Sequence, residues 1–232
     1  MTTARASYLR IVVTEPVALV ERQPRLRFRP VVRLADGEAF GMHAEADISF
    51  EDMFRPSHLS DAAHPSAAGW LGDLIERAGR LAQEAGANHR PLSISAPMAA
   101  LADRDAPMAA EAGAARAGIL PQEVRIDFCD ASMSALDDLA LDRVDAFRRR
   151  GFRVGLDARK SWRTPMGARA RMTFEAVRLD PSRCEALDIP MSRLEVTAAD
   201  GIALIAESVR WCDTEKLADL GVRFALAPRA DS

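Results

Sequence analysis

The chain has 232 residues, of which 48% are hydrophobic and 28% charged, and its formal net charge is -3. This composition excludes a disordered, collagen-like or fibrous chain, and the length suits one large domain or two small ones. A chain without a global basic field or an apolar run of about 20 residues is expected to bind neither nucleic acid nor a membrane.

Eight short runs of residues are typical of β-strands. The first two, residues 26–34 and 39–45, flank an Asp36-Gly37 turn signal and therefore predict a hairpin with an antiparallel first strand. The other six follow at fairly even spacing, at residues 91–95, 124–129, 152–156, 176–179, 202–206 and 222–226.

Helical patterns lie between several of these strands. Residues 70–85 repeat apolar side chains at three- to four-residue spacing, and residues 135–150 place Leu136, Leu139, Val144 and Phe147 on one stripe. The second helix ends in three arginines followed by Gly151, and a shorter helix over 214–220 ends before Gly221. Residues 58–69 read as a surface loop.

Strands that alternate with helices predict a parallel sheet wound by crossover helices. Eight strands in a chain of this length favour a closed (β/α)8 barrel of the TIM type. An open doubly wound sheet is the alternative. The sequence lacks both a Gly-x-Gly-x-x-Gly turn and a Gly-Lys-Ser/Thr phosphate loop, so a nucleotide-binding open sheet has less support.

Acidic residues gather at the predicted strand ends. In a barrel of this type, the active site lies where the carboxyl ends of the strands meet. Carboxylates that converge there could hold Mg²⁺, Mn²⁺ or Ca²⁺, although Asp and Glu also favour such positions as helix caps. The residues concerned are Asp47, Asp127, Asp130, Asp157, Asp180 and Glu207, with Ser93 and Ser95 on the third strand.

The order of these segments resembles the EAL family, the cyclic di-GMP phosphodiesterase domain of bacteria. Leu92-Ser-Ile-Ser95 is similar to the family's Val-Asn-Leu-Ser strand, and Ile205-Ala-Glu-Ser-Val-Arg210 to its Ile-Ala-Glu-Gly-Val-Glu segment. The resemblance runs from about residue 26 to residue 228, and it implies a single stand-alone EAL-like barrel over residues 1–232. The matching segments are residues 29–34, 41–45, 92–95, 125–130, 152–157, 177–180, 205–210 and 217–221.

The resemblance also implies which positions would form the family's metal-binding and catalytic site. Asp157 and Glu207 keep the family's residue, and Asp180 stands in its structural place. The other positions are occupied differently: His43 and Asp127 replace glutamates, Ser93 an asparagine, Ala158 the second of two paired aspartates and Arg178 a catalytic lysine. Two further positions differ, since Arg29 stands where the family has a glutamine and the late glutamine of the family falls at or beside Leu226.

These departures predict a domain that is not an enzyme. In the family, two metal ions activate water and hold the scissile phosphate, which requires a full set of ligands. Arg178 cannot deprotonate at working pH and presents a planar fork where the family has a compact ammonium group. No cofactor is therefore expected. The alternative is a residual phosphodiesterase with Mg²⁺ or Mn²⁺, in which His43 joins Asp127, Asp157 and Glu207 in a rebuilt metal site.

A basic loop, residues 158–171, occupies the place of the family's glycine-rich loop. It carries Arg159, Lys160, Trp162 and Arg163 and has no acidic residue. These side chains, with Arg29, could hold the phosphates of an intact cyclic dinucleotide, with Trp162 stacking on a base. They could instead contact an acidic protein partner, or the loop could simply be solvated.

The resemblance implies a regulatory function for such a domain. We expect a catalytically inactive module that acts through a protein partner in cyclic di-GMP, motility or cell-surface signalling, with cyclic di-GMP as a possible ligand and a homo-oligomer as a possible state. Three scattered cysteines without a Cys-x-x-Cys pair, and a start without a secretory signal, predict a reduced, cytoplasmic location. The short chain after the eighth strand predicts a truncated C-terminal helix. We expect residues 1–23 to pack on the barrel, with residues 8–23 near that strand; the alternative is that this flank is an interface.

Overall fold

The computed structural model describes residues 24–47, 49, 66–136, 138–183, 191–207 and 214–228. The predicted packing of residues 1–23, the end of the chain beyond residue 228, and two of the three cysteines lie outside the described residues. The same holds for most of the loop predicted over residues 58–69, although its last three residues already belong to the first helix.

Eight strands close into a barrel in which each strand pairs with its neighbours in chain order. This confirms the predicted TIM-type barrel and excludes the open sheet. The strands are β1 (Leu26–Arg33), β2 (Ala39–Ala46), β3 (Leu92–Ser95), β4 (Val124–Cys129), β5 (Arg153–Asp157), β6 (Ala176–Leu179), β7 (Ala203–Ala206) and β8 (Val222–Leu226).

The first strand runs against the other seven. It pairs antiparallel with both β2 and β8, whereas every other pairing is parallel, as predicted from the hairpin. Gly37 supplies the positive φ of 73° that the tight turn requires, and Asp36 accepts a hydrogen bond from the Glu38 amide. Because β1 is reversed, its first residues lie beside the carboxyl ends of β2–β8. We call that end the barrel mouth.

Seven α-helices surround the barrel within the described residues. They are α1 (Ala67–Glu84), α2 (Ala106–Ala117), α3 (Asp130–Ala135), α4 (Asp138–Arg149), α5 (Ala168–Thr173), α6 (Met191–Ala199) and α7 (Thr214–Asp219). The helix predicted over 135–150 is α4, which begins only at Asp138, and Leu139, placed on its apolar stripe, is 58% exposed. Helices α2, α3, α5 and α6 were not predicted from the sequence.

Helix α2 was missed because its apolar face is made of small residues. Ala106, Ala110, Ala114 and Ala117 are buried, but a stripe of alanines scarcely differs in hydropathy from the rest of this alanine-rich helix. A Cβ on Gly113 of α2 would lie 2.1 Å from the carbonyl oxygen of Gly72 in α1, so these two helices pack backbone against backbone. The main core lies between the helices and the outer face of the barrel.

No helix within the described residues is both long and apolar enough to cross a membrane.

Candidate functional site

Buried polar and charged side chains fill the inside of the barrel at its mouth. Strand residues two apart point to the same face, so positions such as Arg125, Asp127 and Arg178 project inward together. Arg29, His43, Ser93, Asp127 and Arg178 are each between 1% and 6% exposed. Groups of this kind are stable in an interior only when they pair and hydrogen-bond with one another.

Arg178 on β6 is the centre of this network, and its side chain is 2% exposed. Its Nη2 donates to Asp157 Oδ2 at 2.7 Å and to Ser95 Oγ at 3.0 Å. Its Nη1 lies 2.6 Å from His43 Nε2. One guanidinium group therefore connects β6 to three other strands, β2, β3 and β5.

His43 on β2 is held as a neutral imidazole. Arginine has only donors, so His43 Nε2 must accept from Arg178, and the ring proton resides on Nδ1. Nδ1 then donates to Ser93 Oγ at 3.0 Å, and Ser93 Oγ donates to the Met42 carbonyl oxygen at 3.3 Å. Burial and the neighbouring charges of Arg178, Arg125 and Arg159 lower the pKa of His43 well below its ordinary value of 6.5.

This histidine makes stability pH-dependent. The unfolded chain binds a proton at His43 near pH 6.5, while the folded chain does not, so acid favours unfolding. We expect the free energy of unfolding to fall between pH 7 and pH 5, with His43 contributing up to about 1.4 kcal/mol per pH unit below pH 6.5. When the free energy of unfolding of a His43→Gln variant is measured by urea unfolding at each pH, it should lack this part of the pH dependence. Exposed His89→Gln is the control, and an unchanged slope in His43→Gln would contradict the assignment.

Asp157 and Glu207 each meet more than one guanidinium group. Asp157 accepts from Arg178 and, through both carboxylate oxygens, from Arg159 at 2.8 and 2.9 Å. Burial alone would raise the pKa of Asp157, but the charge of Arg178 and the hydrogen bonds of Arg159 outweigh it and hold the pKa well below its usual range. Glu207 Oε1 accepts from Arg29 Nη1 at 3.0 Å, and Oε2 lies 3.3 Å from Arg159 Nη1.

Asp127 forms a separate buried pair with Arg125, two residues earlier on β4. The Arg125 Nε donates to Asp127 Oδ1 at 2.8 Å, and the two side chains are 3% and 2% exposed. Gly155 on β5 makes room for the pair: a Cβ there would lie 2.3 Å from Asp127 Oδ1 and 3.3 Å from Arg125 Nε.

This arrangement does not suit a pair of divalent cations. Four carboxylates at the mouth, those of Glu45, Asp127, Asp157 and Glu207, lie within 4.0 Å of four guanidinium groups, those of Arg29, Arg125, Arg159 and Arg178. The Nε2 lone pair of His43 is also engaged by Arg178. A metal site of hard cations requires an excess of anionic oxygen ligands, which this set lacks. Within the described part of the chain, no group of three His, Cys, Asp or Glu side chains could hold a metal ion.

The basic loop is fixed by Asp130, which begins α3 and is 1% exposed. Its Oδ2 accepts from Ser161 Oγ and the Arg163 amide, and its Oδ1 accepts from the amide and hydroxyl of Thr164, at 2.6 to 2.8 Å. From the sequence, Asp130 was predicted only to be one of the acidic residues at the strand ends. Its partners lie 31 to 34 positions later in the chain, so no local sequence signal indicated this role.

The loop presents only some of its predicted contact residues. Trp162 is 6% exposed and packs into the core, so its ring is not placed to stack on a ligand or a partner. Arg29 and Arg159 belong to the mouth network, although the Arg159 side chain remains 30% exposed. Lys160 and Arg163 are exposed at the surface.

The remaining predicted positions lie at the mouth but outside the network. Ala158 is buried, and its amide donates to the Arg178 carbonyl oxygen. Asp180 caps the turn after β6 by accepting from Ser182, and Asp47 accepts from the Arg25 amide. A cavity of about 200 Å³ opens beside His43, Ser95 and Arg159.

Comparisons with known proteins place this architecture among EAL domains. No protein-family model and no curated protein sequence matches the chain. Solved structures do. The PaMucR phosphodiesterase in complex with c-di-GMP superposes with a TM-score of 0.67 at 16% identity, covering 90% of this chain and 91% of that one. A stand-alone EAL protein of Vibrio cholerae O395, bound to c-di-GMP, gives 0.63 at 18% identity over 88% and 90%.

Longer proteins contain the same fold as a part. Klebsiella pneumoniae BlrP1, in its manganese and c-di-GMP complex, gives a TM-score of 0.66 at 18% identity over 90% of this chain. The chain spans 55% of BlrP1 and 61% of the EAL enzyme Bd1971. The barrel is therefore an EAL-type (β/α)8 barrel with a reversed first strand, and identities this low show the fold alone.

Proposed function

We propose that this chain is a non-catalytic domain of the EAL fold that regulates through contact with a protein partner. One observation carries the proposal. The carboxylates at the barrel mouth are surrounded by guanidinium groups and not by further oxygen ligands. Asp157 and Glu207, which keep the family's residues, are bound by Arg178, Arg159 and Arg29. The EAL neighbours named for c-di-GMP lead us to assign the process to cyclic di-GMP, motility or cell-surface signalling.

The fixed basic loop supports a protein contact. Four hydrogen bonds to Asp130, two from backbone amides and two from hydroxyl groups, hold the loop, so the backbone of Lys160 and Arg163 is positioned without a partner. A preorganised surface loses little conformational entropy on binding. Its charge suits an acidic surface on the partner, because Lys160 and Arg163 make no ion pair with any described residue, whereas Arg159, Arg169 and Arg171 do.

A receptor for cyclic di-GMP is the second candidate. The half-exposed guanidinium of Arg159 faces the 200 Å³ cavity at the mouth, where it could contact a phosphate. That volume is below the range of about 300–1,000 Å³ that encloses drug-sized ligands, which favours the protein-contact function.

The test of catalysis is incubation of the purified chain with cyclic di-GMP and Mn²⁺ or Mg²⁺. We expect no linear product, with an active EAL phosphodiesterase run beside it as the positive control. Turnover that Asp157→Ala abolishes would overturn the proposal in favour of the residual phosphodiesterase. Calorimetric titration with cyclic di-GMP addresses the receptor: saturable binding that Arg159→Gln removes would favour it.

The test of protein contact is affinity capture from the host with matched charge variants. We expect a partner that is retained by the wild-type chain and lost by the Lys160→Glu/Arg163→Glu double variant. The control is Arg104→Glu/Arg149→Glu, which reverses two exposed charges outside the loop sequence. Equal capture by all three chains would exclude the basic loop as the contact.

A further inference from the structure

A second cavity opens at the end of the barrel opposite the mouth. Its volume is about 340 Å³, within the range of about 300–1,000 Å³ typical of small-molecule sites. The first residues of β5–β8 and the Phe40 side chain line it. Because the family site and every mouth residue except Arg125 lie at the other end, this lower cavity is a separate site.

Small residues on neighbouring strands create the space. Barrel interiors of this type are usually filled by bulky branched side chains. Here Ala176 and Ala203, which both line the cavity, are register partners at the start of β6 and β7. One wall is aromatic: the rings of Phe40 and Phe224 pack with centroids 4.4 Å apart. An apolar body of a few carbon atoms would fit between this wall and the two alanines.

The rim of the lower cavity carries excess positive charge. Arg125 is paired with Asp127, and Arg153 donates to Glu175 at 2.7 Å. Arg223 is exposed and makes no ion pair with any described residue. The pairs account for two of the three guanidinium groups, which leaves one positive charge beside an apolar wall.

We propose that the lower cavity binds a small organic carboxylate with an apolar body. The ring or short chain would lie against Phe40 and Phe224, and the carboxylate would accept hydrogen bonds from Arg223. Arginine recognises a carboxylate through two parallel N–H donors, and such charge-assisted bonds are about twice as strong as neutral ones. This inference does not depend on the function proposed for the mouth.

The experiment uses 4-fluorophenylacetate as the probe, followed by fluorine NMR on the full chain. We expect saturable binding, and at least about tenfold weaker binding of the neutral 4-fluorophenylacetamide, equivalent to about 1.4 kcal/mol. Arg223→Gln should weaken binding of the acid by at least about tenfold without changing binding of the amide. Arg104→Gln removes an equal charge near the opposite end and should leave the affinity unchanged.

A cavity-filling variant supplies an independent readout. Ala203→Leu should abolish binding of both probes if the ring occupies this space, with the fold checked by circular dichroism. If this variant does not fold, the surface variant Arg223→Gln still decides, because it removes no packed side chain. Absence of saturable binding by wild type, or equal affinity of acid and amide, would overturn the proposal.

Discussion

Replacing Arg178 by methionine is expected to lower the free energy of unfolding by about 3–5 kcal/mol, as is usual when one partner of a buried ion pair is removed. The variant leaves Asp157 with one guanidinium partner fewer, and His43 Nε2 and Ser95 Oγ lose their donor. Buried polar groups without partners carry the full cost of desolvation. Urea unfolding monitored by circular dichroism measures the change.

Two companion variants separate the contribution of the network from that of charge alone. Arg169→Met removes an exposed arginine that pairs with Asp142 and Asp145 on the surface, and it should cost less than about 1 kcal/mol. Arg178→Lys keeps the charge but loses the planar fork, so its stability should lie between wild type and Arg178→Met. If Arg178→Met is as stable as wild type, the mouth does not depend on this guanidinium group.

Gly155→Ala is expected to destabilise the protein by about 3 kcal/mol or more, because it adds a methyl group where the Arg125–Asp127 pair lies. The new Cβ would stand 2.3 Å from Asp127 Oδ1, and both partners are enclosed by neighbouring strands. Gly167→Ala is the control. Its Cβ would meet nothing within 4 Å and its φ of -67° suits any residue, so Gly167→Ala should cost only the poorer N-cap of α5, about 1 kcal/mol or less.

A double-mutant cycle tests the cause of this loss. In an Asp127→Ala background, the carboxylate that blocks the methyl group is absent, so Gly155→Ala should cost much less than in wild type. Equal costs in the two backgrounds would show that the glycine is required for some other reason.

The sequence sufficed for the barrel because its strands are short apolar runs separated by clear turn and helix-end signals. Residues 124–129, 176–179 and 222–226 are strands with the predicted bounds. The same alternation correctly assigned Asp127, Asp157 and Glu207 to one end of the barrel. Helix α2 could not be read in this way, since its buried alanines create almost no contrast between its faces.

The partners of the mouth residues could not be predicted from sequence. Arg178 and His43 are 135 positions apart, and only barrel closure brings them together. Arg125 was passed over because an arginine within a strand motif reads as a solvent-facing residue, whereas it is 3% exposed beside Asp127. For Trp162 the expected exposure was wrong in the other direction. Its place in a basic loop suggested an exposed contact residue, but its side chain is part of the core.

Titration of the purified chain with Mn²⁺, followed by electron paramagnetic resonance, tests most directly whether arginines have replaced cations at the mouth. If Asp157 and Glu207 are neutralised by guanidinium groups, no saturable binding should occur up to about 1 mM Mn²⁺, the weak end of the range for oxygen-ligand sites. Binding of one or two Mn²⁺ ions per chain at micromolar concentration, lost in Asp157→Asn, would contradict the account.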